Sequence, residues 1–332
     1  MLCSLGLLAT PACGKKHGSP AWTSTAGSPN AAAVPAAATP PNPVAKSSRK
    51  SPASAEPAAS GLRFIAYNVN NWLTMDRTIE RREHKGVPKP EGEKRSVIQV
   101  LSRHAPDALG ICEIGTREDL AEIQSALKAS GVELPHSFFA GGGDEIRHLG
   151  LLSRFPITST ASPANLDFKL NGSHFTMNRG ILDATIQAHG KSYRLLGVHL
   201  KSKREVEDGD QQAMRLSEAR LLRQHVDAIL KTDPNARLVV YGDFNDTRGS
   251  AVLKTITGNY NEPTYLTAIP AQDKQGLRWT HFWSLHDIYS RLDFITVTQG
   301  LKPDVDFHQS CIIDDPDWID ASDHRPLLAI FN

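Results

Sequence analysis

Residues 61–332 are expected to fold as an α/β domain, sheets covered by helices, and three features predict it. Short apolar runs recur along the stretch, segments of helical periodicity separate them, and the composition changes abruptly at Leu62. The runs Arg63–Tyr67, Ala108–Cys112, His148–Leu152 and Leu238–Tyr241 have strand length and end at polar or turn-forming residues, so they read as buried strands. Helical periodicity marks 96–104, 118–129 and, longest, 211–230, where Met214, Leu221, Leu222, Val226 and Ile229 share one face. Strands mixed with helices in this way suggest sheets covered by helices. No internal repeat at a fixed period is visible.

The chain before Leu62 has a different character. Met1 to Cys13 is a short apolar stretch of the signal-peptide kind, too short to span a bilayer as a helix and without a basic leading region. Ala12 before Cys13 makes that cysteine a candidate for lipidation, which would attach the protein to a membrane. A plainly cleaved secretory signal is the alternative. Either way the expectation is export, to the periplasm, the outer membrane or the medium. From Gly14 to Ser60 the composition is Ala, Pro, Ser and Thr with few bulky apolar residues, so nothing offsets the entropy cost of folding. The expected layout is a leader over 1–13, a disordered tether over 14–60 and a folded domain over 61–332.

Charge narrows the function classes. The whole chain carries 37 basic and 36 acidic residues. The tether holds Lys15, Lys16, Lys46, Arg49 and Lys50 against Glu56, leaving 32 basic and 35 acidic residues for the domain. A nucleic-acid binder relying on bulk charge would be more basic. Any attraction for a polyanion must come from local patches or bound metal. Cys112 and Cys311 sit in apolar, strand-like contexts, and two buried free thiols are favoured over one disulfide between them.

The chemistry gathers where apolar runs end. Asn68 follows Phe64–Tyr67, Glu113 follows Leu109–Cys112, and His199 follows Leu195–Val198. Asp243 and Asn245 follow Leu238–Tyr241, Asp293 lies in the run Arg291-Leu-Asp-Phe, and Asp323-His324 stands near the C-terminus. Taken singly, Asn68 is a strand terminator, Gly242-Asp-Phe-Asn-Asp246 an ordinary turn, and His199 a satisfied structural histidine. Glu113 is harder to dismiss, because a carboxylate closing an apolar strand is costly unless paired or metal-bound. All of them in one order, each at the rim end of a run, make the case.

That order, with Tyr67-Asn-Val-Asn70, Gly110-Ile-Cys-Glu113, Leu152-Ser-Arg-Phe-Pro156, Val198-His-Leu200, Gly242-Asp-Phe-Asn245, Arg291-Leu-Asp-Phe294 and Ser322-Asp-His-Arg-Pro326, resembles the endonuclease/exonuclease/phosphatase superfamily. The resemblance spans essentially all of 62–332. It implies a two-sheet β-sandwich flanked by helices, a deoxyribonuclease-like α/β/β/α arrangement with the active site at one rim. Carried over, Glu113 would be the main metal-binding carboxylate, supported by Asp323 and Asn68. Mg²⁺ or Mn²⁺ would be the cofactor, since oxygen ligands suit hard cations. Asp243 and Asn245 would position the attacking water and the scissile phosphate. His324 would contact the phosphate or activate the water, oriented by Asp293, and His199 would lie across the phosphate from it.

For substrate contacts the candidates are Arg179, the run Lys201-Ser202-Lys203 after His199, and Trp279 in Trp279-Thr-His-Phe-Trp283, a ring for stacking on a base or touching a lipid. A packed loop is the competing reading of that aromatic segment. Specificity is expected in loops 76–93, 141–147, 163–178 and 259–285. The leading expectation is a monomeric phosphodiesterase acting on DNA or RNA. Its alternatives are a phospholipid phosphodiesterase of the sphingomyelinase type or a small-molecule phosphatase, and an inactive surface binding module comes last. No long exposed apolar hairpin is visible in the sequence to favour the lipid reading.

Overall fold

A computed structural model describes residues 61–79, 81–203 and 209–332. The leader and tether, with Cys3 and Cys13, lie outside the described residues. Leu62–Trp72 shows how the alternation in the sequence becomes a layer. Leu62, Phe64 and Ala66 point to one face and pack with Leu182, Ala184, Leu195 and Val239 of a second sheet. Ile65, Tyr67 and Val69 point to the other and pack under the helices Glu91–His104 and Arg117–Ala129, against Val97, Leu101, Leu120 and Ile123.

The first sheet runs, in spatial order, Cys311–Ile312, Leu327–Phe331, Leu62–Trp72, Ala108–Ile114, His148–Ser153, His136–Ala140. The second runs Thr267–Ala268, Asp293–Val297, Leu238–Asp243, Lys191–His199, Ile181–Ala188, Ile157–Thr160. Each sheet contains one parallel pair: Leu62–Trp72 with Ala108–Ile114, and Lys191–His199 with Leu238–Asp243. The helices Gln211–Thr232 and Ala251–Thr257 cover the outer face of the second sheet, burying Leu222 and Val226 against Leu196, Val198 and Val240. The result is the expected four-layer sandwich. The two sheets approach closely at Tyr241, whose ring lies against Gly110 of the first sheet; a Cβ at 110 would stand 2.0 Å from that ring.

Helix starts follow capping chemistry more than periodicity. Thr116 and Asp119 form a reciprocal capping box for Arg117–Ala129, and Asp210 accepts from the backbone N–H groups of Gln212 and Ala213. The first helix begins at Glu91 rather than Ser96, with Pro90 before it. Cys112 and Cys311 are both free, Cys112 buried and Cys311 half-buried. No helix among the described residues is long and apolar enough to cross a membrane.

One buried ionic cluster braces the second sheet. The Asp183 carboxylate accepts from Arg194 Nε and Nη2 at 2.8 and 2.6 Å and lies 2.7 Å from His225 Nε2. Burial raises its pKa, but the bonds from His225 and Arg194 outweigh that and hold it below the ordinary aspartate value. A carboxylate with a depressed folded pKa adds stability above its unfolded pKa of about 4 and loses it as pH falls through the folded value. Asp183→Asn is therefore expected to cost about 3 kcal/mol at neutral pH, the scale for removing one partner of a buried pair. Thermal melts of both proteins should converge as pH drops below about 4. A gap that stays constant down to pH 2 would rule this out.

Candidate active site

Both sheets send polar residues to the same rim. On the second sheet His199 pairs in register with Asp243 and Asp243 with Asp293, so three ionisable side chains stand in one row across adjacent strands. On the first sheet the pairing of Leu62–Trp72 with Ala108–Ile114 shifts register past Asn68, where Asn70 and Asn71 adopt positive φ. Glu113 sits opposite in its own bulge at φ 67°. Such bulges re-aim side chains at sheet ends. Here the backbone N–H of Asn71 donates to Glu113 Oε2 at 2.9 Å.

Asp243 Oδ2 is the meeting point. Asn68 Nδ2 donates to it at 3.2 Å and to Glu113 Oε1 at 3.2 Å, joining the two sheets. His199 Nε2 lies 3.6 Å from Asp243 Oδ2 and 3.8 Å from Glu113 Oε1. His324 Nε2 approaches from the other side at 3.7 Å, while its Nδ1 is fixed by Asp293 Oδ2 at 2.7 Å. Asn245, at φ 50°, donates its backbone N–H to Asp243 Oδ1 at 2.8 Å and its side-chain amide to the Leu200 carbonyl at 2.9 Å. Ser322 ties the C-terminal segment in, donating to the Asn68 carbonyl at 2.8 Å and accepting from the His324 N–H at 3.0 Å.

The two histidines are pushed in opposite directions. Burial lowers the pKa of His324, but Asp293 and Asp243 overcome it and hold the imidazole well above its ordinary value. Burial also lowers that of His199, and the charges of Arg179, His324 and Arg147 drive it further down. The surroundings thus favour the charged form of His324 and the neutral form of His199. Burial, with the charges of Asp293 and Glu113, pushes Asp243 up to about 7 against the opposing pull of His324. Crowded carboxylates with an amide beside them form an oxygen-donor set that fits a hard divalent cation.

Not every residue expected at the site converges there. Asp323 stands at the rim with its side chain 44% exposed, 3.8 Å from His281 Nε2 and 4.0 Å from His324 Nε2. No hydrogen bond joins it to Glu113 or Asn68 among the described residues. Two groups could hold a metal by their spacing: His281, Asp323 and His324, or Asp243, Asp293 and His324. Arg179 is buried beside Asp144, with its Nε and Nη1 making no hydrogen bond, and its charge is felt at His199. Lys201 and Ser202 follow His199 on a segment held by its backbone: Glu218 accepts from the Lys201 N–H, and Arg215 donates to both carbonyls. Trp279 is not a free stacking surface. The Arg325 guanidinium lies 3.5 Å from its ring centroid, and Tyr289 and Trp318 meet it edge-on.

Two participants were not singled out from the sequence. Arg147 donates from Nε to Asn71 Oδ1 at 2.8 Å, and His281 packs on His324 with ring centroids 4.7 Å apart. Both fall in loops expected to carry specificity, which was the available signal.

A sequence model described as Endonuclease/Exonuclease/phosphatase family matches residues 86–324. The chain belongs to that family. No curated protein matches the sequence. Solved structures similar to this endonuclease/exonuclease/phosphatase domain include the catalytic domain of human Nocturnin with bound sulfate (16% identity, 83% of this chain and 95% of that one, TM-score 0.58). Sphingomyelinase C from Streptomyces griseocarneus gives 14% identity, 82% and 100% coverage and a TM-score of 0.55. A beta toxin mutant from Staphylococcus aureus with bound magnesium ions gives 15%, 82%, 100% and 0.54. At these identities the likeness establishes the shared fold, and the family's chemistry is hydrolysis of phosphoester bonds.

Proposed function

We propose that this family member is an exported, divalent-metal-dependent phosphodiesterase whose substrate is nucleic acid. The observation that carries the reading is Asp243 Oδ2 set between two imidazoles, 3.6 Å from His199 and 3.7 Å from His324, with the Asn68–Glu113 pair facing it from the other sheet. Glu113, with Asn68 beside it and Asp323 across the rim, would hold Mg²⁺ or Mn²⁺. The bound cation supplies positive charge against the phosphate oxygens. Asp243 and Asn245 orient the attacking water, and Asp243 Oδ2 takes up its proton. His324, locked by Asp293, presents Nε2 to the phosphate, and His199 faces it from across Asp243. Arg179 and Arg147 add the local positive charge that the domain as a whole lacks, and Lys201 and Ser202 are proposed to meet flanking phosphates. Export and membrane attachment through Cys13 belong to the same proposal and rest on the leader and tether composition, and action as a monomer is proposed with them.

A second reading, a phospholipid phosphodiesterase, is favoured by one observation that the sequence did not reveal. The hairpin of His281–Trp283 and Ile288–Ser290 leaves Trp283 49% and Leu285 77% exposed, with Ile288 and Tyr289 beside them. Hydrolysis of plasmid DNA, bis-p-nitrophenyl phosphate and sphingomyelin vesicles, each with Mg²⁺, Mn²⁺ or EDTA, separates the two. Plasmid nicking that EDTA abolishes is expected. Vesicle hydrolysis without nicking would replace the nuclease reading, and nicking that survives EDTA would sink the metal assignment.

A further inference from the structure

A cleft of about 700 Å³ opens beside Asp323, between the helix Glu91–His104 and an aromatic wall. Arg95, Ser96 and Gln99 of that helix line it together with Phe282 and Trp318, and Asn70 and Asp323 join it to the catalytic groups through Asn68 and His324. The rings are braced from behind. Phe282 stacks on Tyr289 with centroids 4.4 Å apart, and Trp318 meets Trp279 edge-on at 5.0 Å. Arg95 and Gln99 are exposed, and their side chains make no hydrogen bond or ion pair among the described residues.

Rigid aromatic faces opposite unpaired donors and acceptors suit a flat ligand with a polar edge. A nucleobase has both, and stacking on a fixed ring loses little side-chain entropy. Acyl chains would leave Arg95 and Gln99 desolvated without partners. Resting on the nuclease reading, we propose that this cleft is a nucleobase subsite for the nucleotide next to the scissile phosphate. Phe282 and Trp318 form its stacking wall, and Gln99 and Arg95 meet the base edge.

The test uses the full chain with Mg²⁺, a dinucleotide, and two analogues with an abasic tetrahydrofuran on the 5′ or the 3′ side of the phosphodiester. The dinucleotide is expected to have a KM about tenfold below that of one analogue, the scale of one base–aromatic stack. Trp318→Ala should erase that preference. Gln99→Ala and Arg95→Ala, on an exposed helix face where folding is not at stake, should each weaken it a few-fold. Hydrolysis of all three substrates with one KM, or a preference that survives both Trp318→Ala and Gln99→Ala, overturns the subsite while leaving a nuclease. No hydrolysis of any of them, nor of plasmid DNA, overturns the nuclease reading and the subsite with it.

Discussion

His324→Ala is expected to lower kcat for diester hydrolysis by about 10²–10⁴-fold, the range for losing a positioned proton-transfer or charge-stabilising group. The size follows from how fully the side chain is committed. Its Nδ1 is held by Asp293 at 2.7 Å, which fixes ring orientation and leaves only Nε2 facing the rim. His281 stacks beside it, but its Nε2 lies 3.8 Å from Asp323, and among the described residues no hydrogen bond fixes its ring as Asp293 fixes that of His324. The variant should remain folded, at a stability cost of about 1–3 kcal/mol from leaving Asp293 short of a partner. Single-turnover kinetics alongside urea unfolding would separate the two effects. A folded variant with kcat within tenfold of the parent would remove His324 from the catalytic residues.

Gly242→Ala should have the largest effect on the fold. Gly242 adopts φ 130°, and a Cβ there would stand 1.9 Å from the Val198 carbonyl oxygen on the neighbouring parallel strand. Val198 and Gly242 are register partners, one step before His199 and Asp243. Backbone cannot move aside as a flexible side chain can, so the methyl group must part the strands where two catalytic residues face each other. A loss of more than about 4 kcal/mol is expected, and activity should fall with it. Gly92→Ala is the matched control, because a Cβ there meets nothing within 4 Å. In the first turn of a helix it should be neutral or add up to about 1 kcal/mol. Equal thermal melting of the two variants would refute the steric argument.

The sandwich and most of its rim are legible in the sequence because strand ends write them down. Asn68, Glu113, His199 and Asp243 each follow an apolar run, and pairing of those runs brings the side chains together. What is not legible depends on partners far along the chain. The start of the first helix lies in a polar turn, Glu91 to Arg95, with no apolar periodicity to mark it. Trp279 reads as a free ring only until Arg325, 46 residues later, is seen lying on its face. The exposed hairpin around Leu285 is hidden for a related reason. Its apolar residues Phe282, Trp283, Leu285, Ile288 and Tyr289 are interspersed with His, Ser and Asp, and that spacing does not say which of them a neighbouring element covers.

The order of strands in the first sheet also sets when this protein can work. Leu62–Trp72 is hydrogen-bonded on one side to Ala108–Ile114 and on the other to Leu327–Phe331. A growing chain can bring Asn68 and Glu113 together early. It cannot close that sheet, or supply Asp323 and His324, until the last segment has been made. Contacts this distant in sequence also form slowly. The catalytic rim thus cannot be complete before the last segment of the chain has been made. On the nuclease reading, a nascent chain with this strand order would spare the message from which it is being translated.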